Sequence, residues 1–212
     1  MDALELHLQV PVLEAPLYVL RHGQTAWNVE RRLQGAQNSD LTVLGRQQAS
    51  AAGRKLATVL PRDGRPVRFL RSPLGRTRET SLLVGRELGI DPADWQDDPR
   101  LAEHGSGAWE GLTWPEIERD RPGTYVAWKR DPERHGPPGG ESHRDLERRS
   151  ASVLAEIAAS RICTVVVGHG VSGAVLRGLA QGLHASEALA LDKPQTAFFR
   201  LRAGYEERIE AM

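Results

Sequence analysis

Leu17-Tyr18-Val19-Leu20-Arg21-His22-Gly23-Gln24-Thr25-Ala26-Trp27-Asn28 is the stretch on which the reading of this chain turns. Its first four residues form a short apolar run of strand type, and the run stops at Arg-His-Gly. A buried strand that delivers a cation and an imidazole onto a glycine turn is a common way to mount functional side chains at a sheet edge. Glycine there lets the backbone bend or come close to a ligand. Arg21 offers a planar fork suited to phosphate oxygens, and His22 offers a nitrogen nucleophile usable near neutral pH. Taken alone, the tripeptide reads equally well as a strand end carrying a surface histidine.

Two further strand-like runs end in the same manner. Val67–Leu70 leads into Arg71-Ser72, with Arg76 one helical turn on, and the apolar, β-branched run Ile162–Val167, in which Thr164 is the one polar residue, leads into Gly168-His169-Gly170. Between them lie helical patterns. One starts at Asp40 or Thr42 and carries Leu44, Ala52, Leu56 and Leu60 at multiples of four. A second has Pro73 in its first turn and runs to Leu88 before Gly89, and a third opens at Glu141-Ser142 with Leu146, Val153, Leu154 and Ile157 on one face. A fourth covers Val171–Leu183, and a last strand, Thr196–Leu201, has Tyr205–Ile209 to pair with across Ala203-Gly204. Strands alternating with helices predict a three-layer α/β/α sandwich with a mostly parallel central sheet. In a parallel sheet the carboxyl ends of the strands share one edge, so the arginines and the two histidines are expected to converge there.

The totals narrow the function. A chain of 212 residues favours one domain over residues 1–212, with residues 1–15 as an extended leader bracketed by Pro11 and Pro16. Trp109, Trp114 and Trp128 fall in a segment, 104–140, that is rich in proline and glycine and reads as an insertion over the active-site edge. Basic and acidic residues balance at 28 each, which argues against nucleic acid as a partner. Cys163 is the single cysteine, excludes an intrachain disulfide, and reads as a buried, inert thiol. No apolar run approaches a membrane span and nothing resembles a signal peptide, so no membrane association and a cytoplasmic location are expected. Two histidines with arginines and no clustered acids make an anion site; no metal-ligand spacing, Walker loop or dinucleotide fingerprint appears, so no metal and no cofactor are expected. His104, His135 and His143 lack partners at ligand spacing and read as surface or substrate-loop positions.

Arg21-His22-Gly23-Gln24-Thr25 followed by Trp27-Asn28 resembles the signature of the histidine phosphatase superfamily, the phosphoglycerate-mutase-like group. Further pieces match in order: Leu33-Gln34-Gly35 with Asp40–Gly45, Ser72-Pro73-Leu74-Gly75-Arg76-Thr77, Leu101-Ala102-Glu103 before Gly107–Thr113, Gly139–Ser142, and Val167–Gly170. The resemblance runs from about Leu17 to Leu201. It implies that His22 attacks phosphorus to give a phosphohistidine, that Arg21, Arg76 and His169 surround the phosphoryl oxygens, and that Asn28 adds a neutral donor. It implies Glu103 as proton donor and water activator, although position alone reads Glu103 as a solvated loop carboxylate, with Glu110 and Glu141 as substitutes. Gln34, Gly35 and Gly170 are expected to contact substrate.

The implied partner is a small phosphate ester, and the group contains monomers and homodimers. Within it, mutases are longer and usually carry asparagine after the second His-Gly, where this chain has Val171. The reading is therefore a metal-independent phosphomonoesterase. A cofactor-dependent phosphoglycerate mutase is the nearest alternative, and a non-catalytic phospho-ligand binder on the same fold is the second. Gln195 stands where the family often shows asparagine.

Overall fold

A computed structural model describes residues 12–212. The chain runs β1 (Leu17–Arg21), α1 (Ala26–Val29), α2 (Val43–Val59), β2 (Val67–Arg71), α3 (Gly75–Leu88), β3 (Trp95–Asp97), α4 (Trp114–Asp120) and α5 (Pro122–Arg130). It continues with α6 (His143–Ser160), β4 (Cys163–Gly168), α7 (Val171–Leu179), α8 (Ala185–Ala188), β5 (Ala197–Arg202) and β6 (Tyr205–Glu210). The strands form one six-stranded sheet in the order β3-β2-β4-β1-β5-β6. The first four are parallel, and the β5-β6 hairpin joins β1 antiparallel. Of the leader expected over residues 1–15, only 12–15 lie within the described residues, and Leu13 is buried in the core.

Alternation along the strands builds two cores. Leu17, Val19, Leu70, Val166, Phe199 and Leu201 face one side and pack with Leu146, Val153, Leu154 and Ile157 of α6 and with Val175, Leu176 and Leu179 of α7. Tyr18, Leu20, Phe69, Val165, Val167 and Phe198 face the other and pack with Leu56 of α2 and Val84 of α3. β4 is buried along its whole length, as a parallel strand covered on both faces should be. The sandwich architecture expected from the sequence is thus present. Among the described residues, no helix is long and apolar enough to cross a membrane.

Several local expectations shift. Leu44, expected on the buried stripe of α2, is 40% exposed; the buried face runs through Gly45, Gln48, Ala49, Ala51, Gly53 and Leu56. The cause is Gly45, which lies so close to the turn after His22 that a Cβ would sit 2.0 Å from the Gln24 carbonyl oxygen. That contact fixes the rotation of the helix. α3 starts at Gly75 and not at Pro73, because Asn38 accepts the Arg76 N–H at 2.8 Å and caps the helix from a distant loop. α7 ends at Leu179, four residues early, where Gly178 accepts hydrogen bonds from the N–H groups of Gln181 and Leu183 in a closing turn. The three-residue strand β3 was not anticipated.

Candidate active site

The register of the parallel strands brings the three strand ends together. β1 pairs with β4 so that Arg21 lies opposite Gly168, and β2 pairs with β4 so that Arg71 lies opposite Val167. The next residue on each strand continues the pattern: the His22 N–H donates to Gly168 O and the Ser72 N–H to Val167 O. From this edge β1 leads to α2 on one face and β4 leads to α7 on the other. A crevice therefore opens between their carboxyl ends.

His22 and His169 meet in it, both 2% exposed, with ring centroids 5.3 Å apart and planes at 65°. His22 Nδ1 lies 2.8 Å from the Gly23 carbonyl oxygen. A carbonyl only accepts, so Nδ1 carries the proton and Nε2 keeps its lone pair. Burial, reinforced by His169, Arg21 and Arg76, pushes the His22 pKa well below the usual imidazole value. Burial, with Arg76, Arg149 and Arg21, does the same to His169. Both rings are therefore neutral at pH 7. His169 Nε2 is 2.7 Å from the Ser72 hydroxyl, and its buried Nδ1 has no partner among the described residues.

The two guanidinium groups are held by backbone carbonyls. Arg21 donates to Lys193 O at 2.5 Å, and Arg76 donates to Gln37 O at 2.5 Å and Gly35 O at 2.9 Å. Carbonyls fix their orientation without neutralising their charge, and each guanidinium keeps a buried Nε–H with no partner among the described residues. Burial lowers the Arg76 pKa to about 10, which still leaves it cationic. Arg71 is turned elsewhere, toward Asp97 and Ser81. The result is fixed positive charge, unmatched N–H donors and neutral imidazoles in one buried crevice, which suits a tetrahedral oxyanion.

Glu103 sits beside it on the N-terminus of α7. Its Oε2 accepts the N–H groups of Gly170 at 3.0 Å and Val171 at 3.2 Å, and its Oε1 accepts those of Ser172 and His104, both at 2.9 Å. Burial raises its pKa, but the backbone donors and Arg76 outweigh it and hold the group below the ordinary glutamate value.

The remaining sequence-predicted residues are close by, and much of their bonding is to the chain itself. The Asn28 side-chain oxygen accepts from Thr25 N and from Gln195 Nε2, leaving its amino group as the donor end. Gln34 donates to the Thr25 hydroxyl. Gly35 has φ +49°, and a Cβ there would lie 2.0 Å from Glu110 Oε1. That closeness lets Glu110 accept the N–H groups of Ala36, Gln37 and Ser106, so Glu110 ties the loop holding Arg76 to the segment after Glu103. The Gly170 N–H is taken by Glu103, and its missing side chain leaves room for the Arg21 guanidinium.

Three contributors have no role in the sequence reading, Ser72, Thr80 and Arg149, and Gln195, noted there only as a departure from asparagine, donates to Asn28 and to the His22 carbonyl oxygen. Thr80 accepts the Gly23 N–H and donates to Arg76 O, joining the His22 turn to α3. Of the three histidines read as surface or substrate-loop positions, His135 is exposed. His143 is buried, its ring 5.5 Å from that of half-buried His104 and 6.2 Å from Trp128. The tryptophans read as packing do pack together: Trp109 is fully buried against Trp114 and Trp128. Among the described residues, no group of three or more His, Cys, Asp or Glu is placed to hold a metal ion.

A family profile described as the histidine phosphatase superfamily (branch 1) matches residues 17–210. A glucosyl-3-phosphoglycerate phosphatase of Mycobacterium tuberculosis is 39% identical over 144 residues, 68% of this chain. The matched stretch spans 60% of that relative's length. A metal-independent phosphoserine phosphatase of Arabidopsis thaliana is 33% identical over 168 residues, covering 77% of this chain and 66% of the relative. Among solved structures, a mycobacterial glucosyl-3-phosphoglycerate phosphatase in complex with VO3 superposes with a TM-score of 0.74 at 30% identity, over 93% of this chain and 98% of that one.

Proposed function

The chain belongs to branch 1 of the histidine phosphatase superfamily, and from that premise we propose that it hydrolyses small phosphate monoesters through a phosphohistidine on His22. The observation that carries the proposal is the state of His22: neutral, its Nδ1–H tied to Gly23 O, its Nε2 free in a crevice flanked by Arg21, Arg76 and His169. An imidazole held in that tautomer attacks without first losing a proton.

In the reaction, Nε2 of His22 forms a bond to phosphorus as the ester P–O bond breaks. The unpartnered Nε–H groups of Arg21 and Arg76 and the His169 ring bear on the equatorial oxygens, where charge spreads in the transition state. The amino group of Asn28 supplies a further donor. Glu103 starts as a carboxylate, and the arriving phosphoryl oxyanions raise its pKa, so that it takes a proton from solvent as substrate binds and delivers it to the leaving oxygen. It then removes a proton from the water that attacks the phosphohistidine; the P–N bond breaks, phosphate leaves with Nε2 restored, and Glu103 returns the proton to solvent. The relatives named as phosphatases, one of them for glucosyl-3-phosphoglycerate and one for phosphoserine, support a small ester carrying hydroxyl or carboxylate groups as substrate.

His22→Ala tests this directly. The variant is expected to keep its circular dichroism spectrum and lose aryl phosphatase activity by at least about 1000-fold, following loss of a nucleophile. Undiminished activity would sink the reading. Vanadate inhibits and a chelator leaves the rate unchanged. Incubation with 3-phosphoglycerate and a trace of 2,3-bisphosphoglycerate separates this activity from a mutase, which isomerises without releasing phosphate. A phospho-ligand binder would bind vanadate and turn over nothing.

A further inference from the structure

Glu103 lies on the short stretch between the 3-10 turn Pro99–Leu101 and the turn at Gly107, outside any strand or long helix. Such a segment has little of its own to fix a carboxylate within the few tenths of an ångström that proton transfer requires. The α7 N-terminus takes the carboxylate itself, and what fixes the backbone that carries it comes from α6, two turns into that helix. Arg149 directs all five of its N–H groups at this stretch and its neighbour. Nη1 donates to Arg100 O at 2.6 Å and to Ala102 O at 2.7 Å, and Nη2 donates to Glu103 O at 3.0 Å. The remaining two donors, Nε and Nη2, reach the Glu141 carboxylate at 2.6 Å and 2.9 Å. Glu141 in turn takes the Gly105 N–H at 3.4 Å, and the Glu141 N–H donates to Gly105 O at 2.8 Å.

The guanidinium therefore gathers three carbonyls from residues 100–103 on one side. On the other it holds the one carboxylate that is itself bonded to residue 105. The peptide bearing Glu103 is gripped before and after the catalytic side chain. A surface ion pair would not look like this: Arg149 and Glu141 side chains are 20% and 18% exposed, and no donor of the fork is left over. The helix that carries Arg149 is anchored in the core by Leu146, Val153 and Leu154, so the clamp is mounted on a rigid element.

We infer that Arg149 is the positioning residue for proton transfer by Glu103, with Glu141 as its lock. The inference rests on the phosphohistidine reading above. A lysine in its place keeps the charge but has three donors radiating from one nitrogen, and it spans neither the carbonyl row nor the bidentate contact.

The test compares leaving groups. An alkyl phosphate such as glycerol 3-phosphate needs a proton on its departing oxygen, whereas 2,4-dinitrophenyl phosphate leaves as a stable anion and needs none. kcat/KM reports steps only through departure of the leaving group, so later hydrolysis of the phosphohistidine does not enter. Arg149→Lys is expected to lose roughly 100-fold in kcat/KM on the alkyl ester, the cost of a misplaced acid, and no more than about threefold on the dinitrophenyl ester. Glu103→Gln shows the same selectivity, and the double variant loses little beyond Glu103→Gln alone. Glu141→Gln, which leaves the three carbonyl contacts of Arg149 in place, gives the same pattern at smaller size and stands in should Arg149→Lys fold poorly. Equal loss on both esters, or loss on neither, overturns the role of Arg149 while leaving the phosphatase reading intact. A wild-type protein that releases phosphate from neither ester, or a His22→Ala variant that releases it normally, overturns both.

Discussion

At the scale of single residues, the two histidines and two arginines of the crevice are each tied to the chain on one side and left free on the other. His22 spends Nδ1 on a carbonyl, Arg21 and Arg76 spend their terminal nitrogens on carbonyls, and His169 spends Nε2 on Ser72. Ser72→Ala removes the last of these. The ring then loses its orientation, and kcat/KM is expected to fall by roughly three- to tenfold, the worth of one neutral hydrogen bond, in a steady-state phosphate-release assay. Much of this scale was legible in the sequence. Arg21, His22 and His169 each follow a recognisable strand, and Arg76 stands in a recognisable motif. Ser72 and Arg149 are not, since their contribution lies in contacts with residues 97 and 46 positions away, which no local pattern records; Gln195 stands out only as a departure from asparagine, and its contact with the His22 carbonyl spans 173 positions.

At the scale of elements, the site depends on how helices dock onto the turns that carry it. α2 meets the turn after His22 through Gly45, whose place leaves no room for a methyl group. Gly45→Ala is expected to cost about 1–3 kcal/mol by overpacking, read as a lower midpoint in urea unfolding, with a reduced kcat because the strained turn is the one after His22. The same contact explains why Leu44 departs from the buried stripe that its spacing predicts: spacing gives the periodicity of a helix, while its rotation is set by what it touches. β4 was readable because six buried residues in a row have one interpretation. β3 was not, because a strand of three residues at the sheet edge, two of them exposed, carries too little pattern. The start of α3 is hidden from the sequence for a related reason, its cap being supplied by Asn38 from another loop.

At the scale of the whole molecule, burying two neutral imidazoles ties stability to pH. His22 and His169 have folded-state pKa values well below 6.5, so above about pH 6.5 neither state carries the charge and they contribute no pH dependence. Below it the unfolded chain takes up protons that the folded chain refuses, and stability falls with pH at up to about 1.4 kcal/mol per unit for each ring. Glu103, with its pKa depressed below 4.5, adds stability that persists above that value and is lost only as pH falls through its lower folded value. Urea unfolding at pH 7.5, 6.0 and 5.0 should therefore show a decline that His169→Asn makes shallower. A protein equally stable at all three values would contradict the buried, neutral pair.

The lone thiol has its own corollary. Cys163 opens β4 at the end opposite His169, roughly 20 Å away by strand rise. It is buried, and burial pushes its pKa up to about 11. Phosphatases that use a sulfur nucleophile stop when peroxide oxidises it. This chain keeps its sulfur protonated, enclosed and remote from the crevice, so hydrogen peroxide or iodoacetamide should leave phosphate release running. Its chemistry would continue through an oxidative burst that silences thiolate enzymes.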